Sequence, residues 1–284
     1  MFIDTIHYNT RELPVFTCRE CLGEHKTHSE MSHMHKDIEI ISVLKGSIRC
    51  QTEDSPFDLK KGDICFINHD RLHALYPTDE NSSHRILIIG ADLLKNIPAV
   101  YERYIRIFLE DKGFSHLRFE GSDSHAAEIN NYISEIEEIK KRDEDGSELE
   151  MLSILYKIMW HLYKAYVSGP APAPVEENQF IQQKMAEYIY EHFSEPITLD
   201  DIAAAGHISR SQCSKLFKQY TNLTPVNFLN MHRLEISRDM LRTTNESIAK
   251  IALDCGFTDQ SYYNRLFKRQ YGCTPLEYRK GDQW

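Results

Sequence analysis

The C-terminal part of the chain contains two copies of one short pattern, and this repeat restricts the possible folds more than any other feature. Segment 215-KLFKQYTNLTP-225 returns as 265-RLFKRQYGCTP-275, and 202-IA-203 returns as 251-IA-252. Each copy predicts a short helix, a turn at 206–207 or 255–256, and a second helix. This is the helix-turn-helix plan, in which the second helix enters the major groove of DNA.

The second helix of each copy is basic. Its cationic residues are Arg210, Lys215 and Lys218 in the first copy and Arg265, Lys268 and Arg269 in the second, and segments 210–220 and 260–272 contain no acid. The whole chain has a net charge of −10, whereas residues 178–284 carry 13 basic and 12 acidic residues. Two acid-free basic helices in such a chain predict contacts with phosphates. Solvated helix faces are the alternative, but repetition of the whole unit argues against them.

Residues 180–279 resemble the AraC/XylS family of bacterial transcription regulators. The densest match is 247-SIAKIALDCGFTDQSYYNRLFKRQYGCTPLEYR-279, whereas the first unit, 198-TLDDIAAAGHISRSQCSKLFKQYTNLTP-225, matches more loosely. Cys213 stands where the family usually has Leu. The resemblance implies an all-α domain of seven helices, in which a long helix at about 225–242 holds two recognition helices one DNA turn apart.

The resemblance also implies roles for individual residues. The positions that would face bases are Ser211, Gln212, Ser214 and Lys215 on the first recognition helix and Gln260, Ser261, Asn264 and Arg265 on the second. Phosphate contacts are expected from Arg210, Lys218, Lys268 and Arg269. Arg or Lys can pair with guanine and Asn or Gln with adenine, whereas phosphate contacts only set the register. The spacing places Leu216, Phe217, Tyr263, Leu266 and Phe267 in the core.

The N-terminal half begins with strand-like segments and ends with helical ones. The apolar, β-branched runs are VFTCREC, IEIISVL, GSIRCQTE, DICFINH and RILIIG, and short strands at such close intervals predict an antiparallel sandwich or small barrel. After about residue 92, apolar residues recur at three and four positions, which predicts two helices around the charged turn 141-KRDEDGS-147. This antiparallel hairpin would either cover the barrel or form a dimer interface.

Segment 169-GPAPAPVEE-177 predicts a semi-stiff linker, because alternating proline and alanine sustain neither a helix nor a sheet. We therefore expect a two-domain α+β chain. An effector-binding and dimerisation domain would occupy 1–168, with a cupin-like β-barrel at about 1–91 and helices at about 92–168. The DNA-binding domain would occupy 178–284.

Segment 33-HMHKDIEIISVLKG-46 is similar to the first motif of the cupin barrel, with His33, His35, Glu39 and Gly46 at the motif's spacing. Strand alternation would place His33, His35, Glu39, Ile41 and Val43 on one inward face. The second motif survives in part. Segment 61-KGD-63 resembles its turn and His73 is the candidate for its histidine, but the usual glycine and asparagine are missing.

Two interpretations of His33, His35, Glu39 and His73 remain open. Three imidazoles and a carboxylate would suit a divalent transition metal, and an open coordination position could support oxygen or isomerase chemistry. Alternatively, these groups bind a small effector or are structural remnants, since regulators of this family frequently keep them without a known metal. We expect an effector pocket without cofactor or catalysis. A metal-responsive regulator and a metal-dependent cupin enzyme are the alternatives.

The seven cysteines are an odd number scattered along the chain, which predicts reduced thiols in the cytoplasm. Cys18, Cys21, His25 and His28 are all zinc-ligand types, but their spacing is far shorter than that of zinc fingers. Ordinary strand and loop residues are the favoured interpretation, and redox or metal sensing is the alternative. The sequence contains neither an apolar run long enough to cross a bilayer nor a secretory signal at residue 1.

Together, these features predict a cytoplasmic, homodimeric transcription regulator, an activator by its resemblance. Its expected partners are double-stranded DNA, RNA polymerase and a small-molecule effector such as a sugar or related metabolite. An effector in the barrel would act through the linker on how the DNA-binding domains are presented, provided that it binds one arrangement better than the other.

Overall fold

The computed structural model describes residues 13–20, 30–52, 55–78, 81–142, 144–172 and 176–281. These residues fall into two compact units, which separate at Glu176. The first unit contains two β-sheets and a helical hairpin, and the second is helical throughout. None of the described helices is long and apolar enough to cross a membrane.

Nine strands form the two sheets in the described part of the first unit. They are β1 (Val15–Glu20), β2 (Glu30–His33), β3 (Ile38–Lys45), β4 (Ser47–Thr52), β5 (Phe57–Lys60), β6 (Ile64–Ile67), β7 (His73–Pro77), β8 (Ser83–Ile89) and β9 (His116–Phe119). One sheet has the order β1-β8-β3-β6-β9 and the other β2-β7-β4-β5, and all described pairings are antiparallel. The five strand-like runs in the sequence are all strands.

The two sheets face each other across a shared apolar core. Ile41 and Val43 of β3 pack there against residues of β4, β5, β6 and β7, whereas Ile38 and Ile40 point to the opposite side of the same strand. This double sheet agrees with the expected cupin-like domain, for which the sequence left an antiparallel sandwich and a small barrel open. In the described residues, β1, β9, β2 and β5 are edge strands, and no ladder joins them into a ring.

Helices cover the outer face of the five-stranded sheet. A 3₁₀ turn (Ala91–Asn96), α1 (Pro98–Val100), a π-helical turn (Tyr101–Ile105) and α2 (Arg106–Leu109) precede α3 (Ser124–Arg142) and α4 (Ser147–Ser168). Ile129, Ile133 and Ile136 of α3 and Leu155 and Leu162 of α4 share a core with the outward face of β3. The predicted helical hairpin is thus confirmed, and its charged turn includes Gly146 at φ +88°.

A buried arginine ties this hairpin to the sheet. Arg85 on β8 donates from Nε to Ser42 Oγ (3.1 Å), from one terminal nitrogen to Ser134 Oγ (2.7 Å) and from the other to the backbone oxygen of Asn130 (2.6 Å). Glu137 lies 3.5 Å from the guanidinium. Because Ser42 belongs to β3 and the other partners to α3, one side chain fixes the position of the helix on the strand.

In residues 176–281 the second unit has seven helices, as the family resemblance implies. They are α5 (Glu177–His192), α6 (Leu199–Ala205), α7 (Arg210–Thr221), α8 (Pro225–Thr243), α9 (Ile248–Asp254), α10 (Gln260–Tyr271) and α11 (Pro275–Arg279). The long helix α8 lies between the two helix-turn-helix units, α6–α7 and α9–α10, close to its predicted bounds. The first residue of α5, Glu177, and its N-cap, Glu176, fall at the end of the predicted linker.

The sequence repeat is also a repeat of helix ends. Thr198 and Ser247 cap the first helix of each unit, and Thr224 and Thr274 cap the helix after each unit with proline at its first position. Each recognition helix ends in a left-handed residue, Asn222 at φ +58° and Gly272 at φ +75°. Such caps satisfy the free backbone groups of helix ends and so fix where each helix starts and stops.

Candidate functional site

The two recognition helices, α7 and α10, present polar residues at the positions predicted to face DNA bases. Ser211, Gln212, Lys215, Gln260, Ser261 and Arg265 are exposed, and Ser214 and Asn264 are half-buried. The expected phosphate-binding residues Arg210, Lys218, Lys268 and Arg269 are exposed as well. The residues expected in the core, Leu216, Phe217, Tyr263, Leu266 and Phe267, are buried. Each helix therefore has one apolar side packed in its unit and one polar side available to a ligand.

Three of these positions have a further local feature besides their expected place at the DNA surface. The Gln212 side chain accepts hydrogen bonds from the backbone and hydroxyl of Ser209 at 3.2 and 3.0 Å, as the capping box of α7. Arg210 forms a bidentate ion pair with Asp200 of α6. The Oδ1 atom of Asn264 is buried without a hydrogen-bond partner in the described residues. Asp200 is thus a residue of this surface that sequence reasoning missed.

The four predicted pocket residues meet inside the first unit. One possible ligand atom from each of His33, His35, Glu39 and His73 can be chosen so that all lie within 4.8 Å of one another. His35, Glu39 and His73 are buried, and His33 is half-buried. The ring centroid of His33 lies 4.2 Å from that of His73, its partner in the β2–β7 ladder.

The route by which these residues meet differs from the expected strand alternation. His33 ends β2, His35 lies in the following loop and Glu39 lies on β3, in the other sheet. The alternation holds for Glu39, Ile41 and Val43, which share the inward face, but no single strand runs from 33 to 43. The chain crosses between the sheets at 34–37, so the pocket is built from both sheets.

Glu39 is the centre of the pocket. Its Oε2 atom lies 3.0 Å from His35 Nε2 and 3.1 Å from His73 Nε2. Burial raises the pKa of the Glu39 carboxyl, but the charge of His73 and the hydrogen bonds of both imidazoles outweigh it, so the pKa lies well below its ordinary value. Oε1 is buried without a hydrogen-bond partner in the described part of the chain.

Backbone carbonyls determine how the two buried imidazoles are protonated. Nδ1 of His35 is 2.9 Å from the Asp37 carbonyl oxygen, and Nδ1 of His73 is 2.8 Å from the Arg71 carbonyl oxygen. A carbonyl oxygen can only accept, so each Nδ1 carries a proton and donates it. Nε2 is then an acceptor in the neutral imidazole and donates to Glu39 Oε2 only in the imidazolium form.

The donor set fits a divalent transition metal. Imidazole nitrogens and a carboxylate are ligands for such ions, and a ligating histidine usually donates its other ring N–H to a carbonyl or carboxylate. The pocket has both features.

The second candidate cluster lies largely outside the described residues: Cys18 is on β1, whereas nothing is described of Cys21, His25 and His28.

Two family profiles match the chain, in the order of its two units. One, described as an AraC-like ligand binding domain, matches residues 20–159, and one described as a helix-turn-helix domain matches residues 202–281. A relative, the uncharacterized HTH-type transcriptional regulator YdeC of Bacillus subtilis, is 24% identical over 277 residues, covering 96% of this chain and 94% of that protein. The HTH-type transcriptional activator RhaS of Escherichia fergusonii is 27% identical over 252 residues, covering 88% and 87%.

Solved structures share the fold at lower identity. Apo ToxT from Vibrio cholerae matches with a TM-score of 0.54 and 17% identity, covering 95% of this chain and 98% of that one. A ToxT structure with a bound unsaturated fatty acid matches with a TM-score of 0.54 and 15% identity, covering 95% and 96%. The fold and these matches define a transcription regulator with a ligand-binding domain followed by a DNA-binding domain. The chain belongs to the AraC family.

Proposed function

We propose that this regulator activates transcription as a homodimer, that it reads DNA with α7 and α10, and that a polar effector in the His/Glu pocket controls it. The observation that carries the DNA-reading proposal is the repeated unit with two exposed, acid-free recognition helices in an acidic chain. Activation is supported by the relatives named transcriptional activators. RNA polymerase is then the expected partner, and the cytoplasm is the expected location.

The pocket supports a hydroxyl-rich effector such as a sugar or related metabolite. Among its inward polar atoms, Glu39 Oε1 is a buried acceptor without a hydrogen-bond partner in the described residues. Sugar hydroxyls can donate to such atoms, and a buried acceptor without a donor is costly. His33 is the most exposed member of the group, so an effector would enter from its side.

A ligand screen tests the chemical class of the effector. We expect thermal unfolding of the full chain to shift upward with particular sugars or polyols and not with fatty acids, because the polar acceptors need donors. The Glu39→Gln variant should lose the shift. Stabilisation by fatty acids alone would overturn the polar class, in line with the fatty acid bound to ToxT.

The DNA-reading proposal is tested by selecting bound duplexes from a random-sequence DNA pool. The selected sites should contain two short conserved blocks about one DNA turn apart, one for each recognition helix. The affinity for them should fall steeply with salt, because binding releases counterions from the phosphates. An affinity unchanged between low and high salt would contradict the proposal.

The pocket is proposed as a binding site without turnover. The relatives of this chain are named transcriptional regulators, and a cupin enzyme would not need the DNA-binding repeat. Turnover of an effector by the purified chain, measured as product formed, would contradict this assignment.

A further inference from the structure

The two recognition helices carry different residue types at matching positions of the repeat. Ser214 of α7 matches Asn264 of α10, and in the same way Lys215 matches Arg265. An Arg guanidinium can bind guanine O6 and N7 with two hydrogen bonds, and an Asn amide can bind adenine N6 and N7 in the same manner. A serine hydroxyl can pair with several bases, and a lysine ammonium is a point charge on a flexible stem. The residue types therefore favour α10 as the stricter reader of bases.

The cap of α7 uses the one amide side chain among the predicted base readers of that helix. Gln212 Oε1 accepts from the backbone nitrogen of Ser209 at 3.2 Å and from its hydroxyl at 3.0 Å. Adenine recognition needs this same oxygen, because it must accept the N6 hydrogen while the amide nitrogen donates to N7. A contact of Gln212 with a base would therefore undo the cap of its own helix.

The cap of α10 is built without a base-facing side chain. Asp259, which precedes the helix, accepts from the backbone nitrogens of Ser261 at 2.7 Å and Tyr262 at 3.1 Å. Tyr262 also stands at the position that Gln212 has in α7, and its hydroxyl accepts from Asn230 of α8 at 3.1 Å. The start of α10 therefore stays intact when its base-facing side chains turn toward DNA.

The exposed readers of α10 are also unengaged. Within residues 176–281, the side chains of Gln260 and Arg265 form no hydrogen bond or ion pair. In the first unit, Arg210 matches Gln260 and is paired with Asp200 of α6. The position of Asp200 is taken by Ala249 in the second unit, so no carboxylate stands at the matching place beside α10. Binding of a base by α10 therefore breaks no contact of the unbound chain.

We propose that α10 is the strict reader of the DNA site and that α7 mainly holds the DNA backbone. The block of base pairs under α10 is then closely specified, with guanine opposite Arg265 and adenine opposite Asn264. The block under α7 tolerates substitution, and Lys215 acts there as a phosphate contact. This inference rests on the proposed function, because it assumes that both helices meet DNA.

The test compares Arg265→Ala with Lys215→Ala, at two exposed and matching positions. The full-length wild type and each variant select duplexes from a random-sequence pool, and their affinities are measured for the wild-type site and for random duplex. We expect Arg265→Ala to relax one block and to lower the affinity for the wild-type site about 5- to 150-fold more than that for random duplex. Lys215→Ala should weaken both to a similar extent and select the same bases as the wild type.

Gln212→Ala separates a capping role from a base-reading role. It should lower the unfolding temperature, because α7 loses its capping box, and it should still select the wild-type bases. Gln260→Ala is the matched control, since Gln260 lies on α10 and takes no part in a cap. It should keep the unfolding temperature of the wild type and relax the block that Arg265→Ala also relaxes.

The outcomes distinguish this inference from the proposed function. Two equally strict blocks would overturn the inference alone, as would a change in the selected bases with Lys215→Ala or Gln212→Ala, or unchanged bases with Arg265→Ala. If Gln212→Ala fails to fold, the comparison of Arg265→Ala with Lys215→Ala decides. A wild type that selects no sequence at all would overturn the proposed DNA reading and this inference with it.

Discussion

At the scale of single residues, His232 on α8 stands out as a polar side chain in an apolar place. Its ring lies 4.3 Å from Tyr190 and 5.0 Å from Phe193, between centroids, and neither nitrogen has a hydrogen-bond partner in the described residues. Burial, with a smaller contribution from the charge of Arg233, lowers the pKa of His232 from 6.5 to about 3. The residue is therefore neutral in the folded chain at physiological pH.

This shift predicts a loss of stability in mild acid. The unfolded chain binds a proton at His232 below about pH 6.5 and the folded chain does not, so the stabilising contribution is complete above pH 6.5 and falls as the pH drops toward 3. We expect the helical unit to lose about 1.4 kcal/mol of unfolding free energy per pH unit from this residue.

Urea unfolding between pH 6.5 and 5, followed by circular dichroism, measures this slope. His232→Phe should reduce this slope by about 1.4 kcal/mol per pH unit, because a ring of similar shape that binds no proton replaces the imidazole. His207→Asn, at an exposed residue, is the matched control and should keep the wild-type slope. An unchanged slope in His232→Phe would show that the buried imidazole does not titrate between the two states.

Arg265 on α10 is expected to read a base. Arg265→Ala should weaken binding to the selected DNA site by about 1–3 kcal/mol while binding to random duplex falls much less, because only the selected site offers the paired base. Fluorescence anisotropy on both duplexes measures the two losses. Lys268→Ala, at an expected phosphate contact, should instead weaken both about equally and lower the salt slope by about one. Equal losses on the two duplexes for Arg265→Ala would exclude base reading.

Sequence spacing located most of these residues because helical periodicity separates faces by rule. It put Phe217 and Phe267 inside, and the family resemblance put Lys215 and Arg265 outside, as the structure has them. It could not give partners that depend on tertiary geometry. The ion pair between Arg210 and Asp200 joins two helices across a turn. The carbonyls that orient His35 and His73 belong to the backbone, which every residue has, so the sequence does not mark them.

At the scale of elements, the two helix-turn-helix units form the corresponding turn with different residues. The first turn uses His207 at φ +54°, and the second uses Gly256 at φ +81°. A left-handed conformation is costly for a residue with a side chain. A Cβ at Gly256 would also lie 2.6 Å from the Phe193 carbonyl oxygen, next to the Arg233 side chain that binds this oxygen. The second turn therefore requires glycine for space as well as for backbone conformation.

Gly256→Ala should accordingly destabilise the helical unit by about 2–4 kcal/mol, from the backbone conformation and the overpacking together. Gly272→Ala is the matched control, since Gly272 has a similar φ of +75° but open space around it. It should cost only the conformational part, about 1–2 kcal/mol. Chemical denaturation of both variants gives the comparison, and equal losses would mean that the contact with Phe193 relaxes freely.

The elements of the first unit were predicted unevenly. The five strands found from the sequence lie in apolar, β-branched runs, whereas β2, β5, β7 and β9 are short and have too little pattern to detect. The sequence also left a sandwich and a small barrel open at this scale. Closure depends on hydrogen bonds between edge strands, and residues far apart in the chain decide those, so no local pattern reports them.

At the scale of the whole molecule, β3 connects the pocket with the helical hairpin. Glu39 points into the pocket from one face of the strand, and three residues later Ser42 binds Arg85, which holds α3 on the other face. An effector or ion that moves Glu39 would therefore act on a strand whose outer face is bonded to the hairpin. If the hairpin also forms the dimer interface, a change in the pocket would alter that interface.

The exposed side of α4 is our candidate for that contact. Leu149, Trp160 and Val167 are 75%, 54% and 48% exposed, and they lie on one stripe with the half-buried Tyr156 and Tyr163. Their spacing of three, four and seven residues keeps them on one side of the helix. An exposed apolar stripe marks an interaction surface, and a second copy of α4 would cover it.

Trp160→Glu should therefore convert the dimer to a monomer, because the charge would be buried against the same apolar stripe of the second copy. Sedimentation velocity at several concentrations gives the mass directly. Lys157→Glu, an exposed position one turn earlier on α4, is the control for added negative charge and should leave most of the dimer intact. A monomeric wild type would contradict the homodimer. A Trp160→Glu chain that still sediments as a dimer would show that the interface does not involve this helix. Loss of the dimer should also weaken DNA binding, because two linked binding domains hold a paired site more tightly than one.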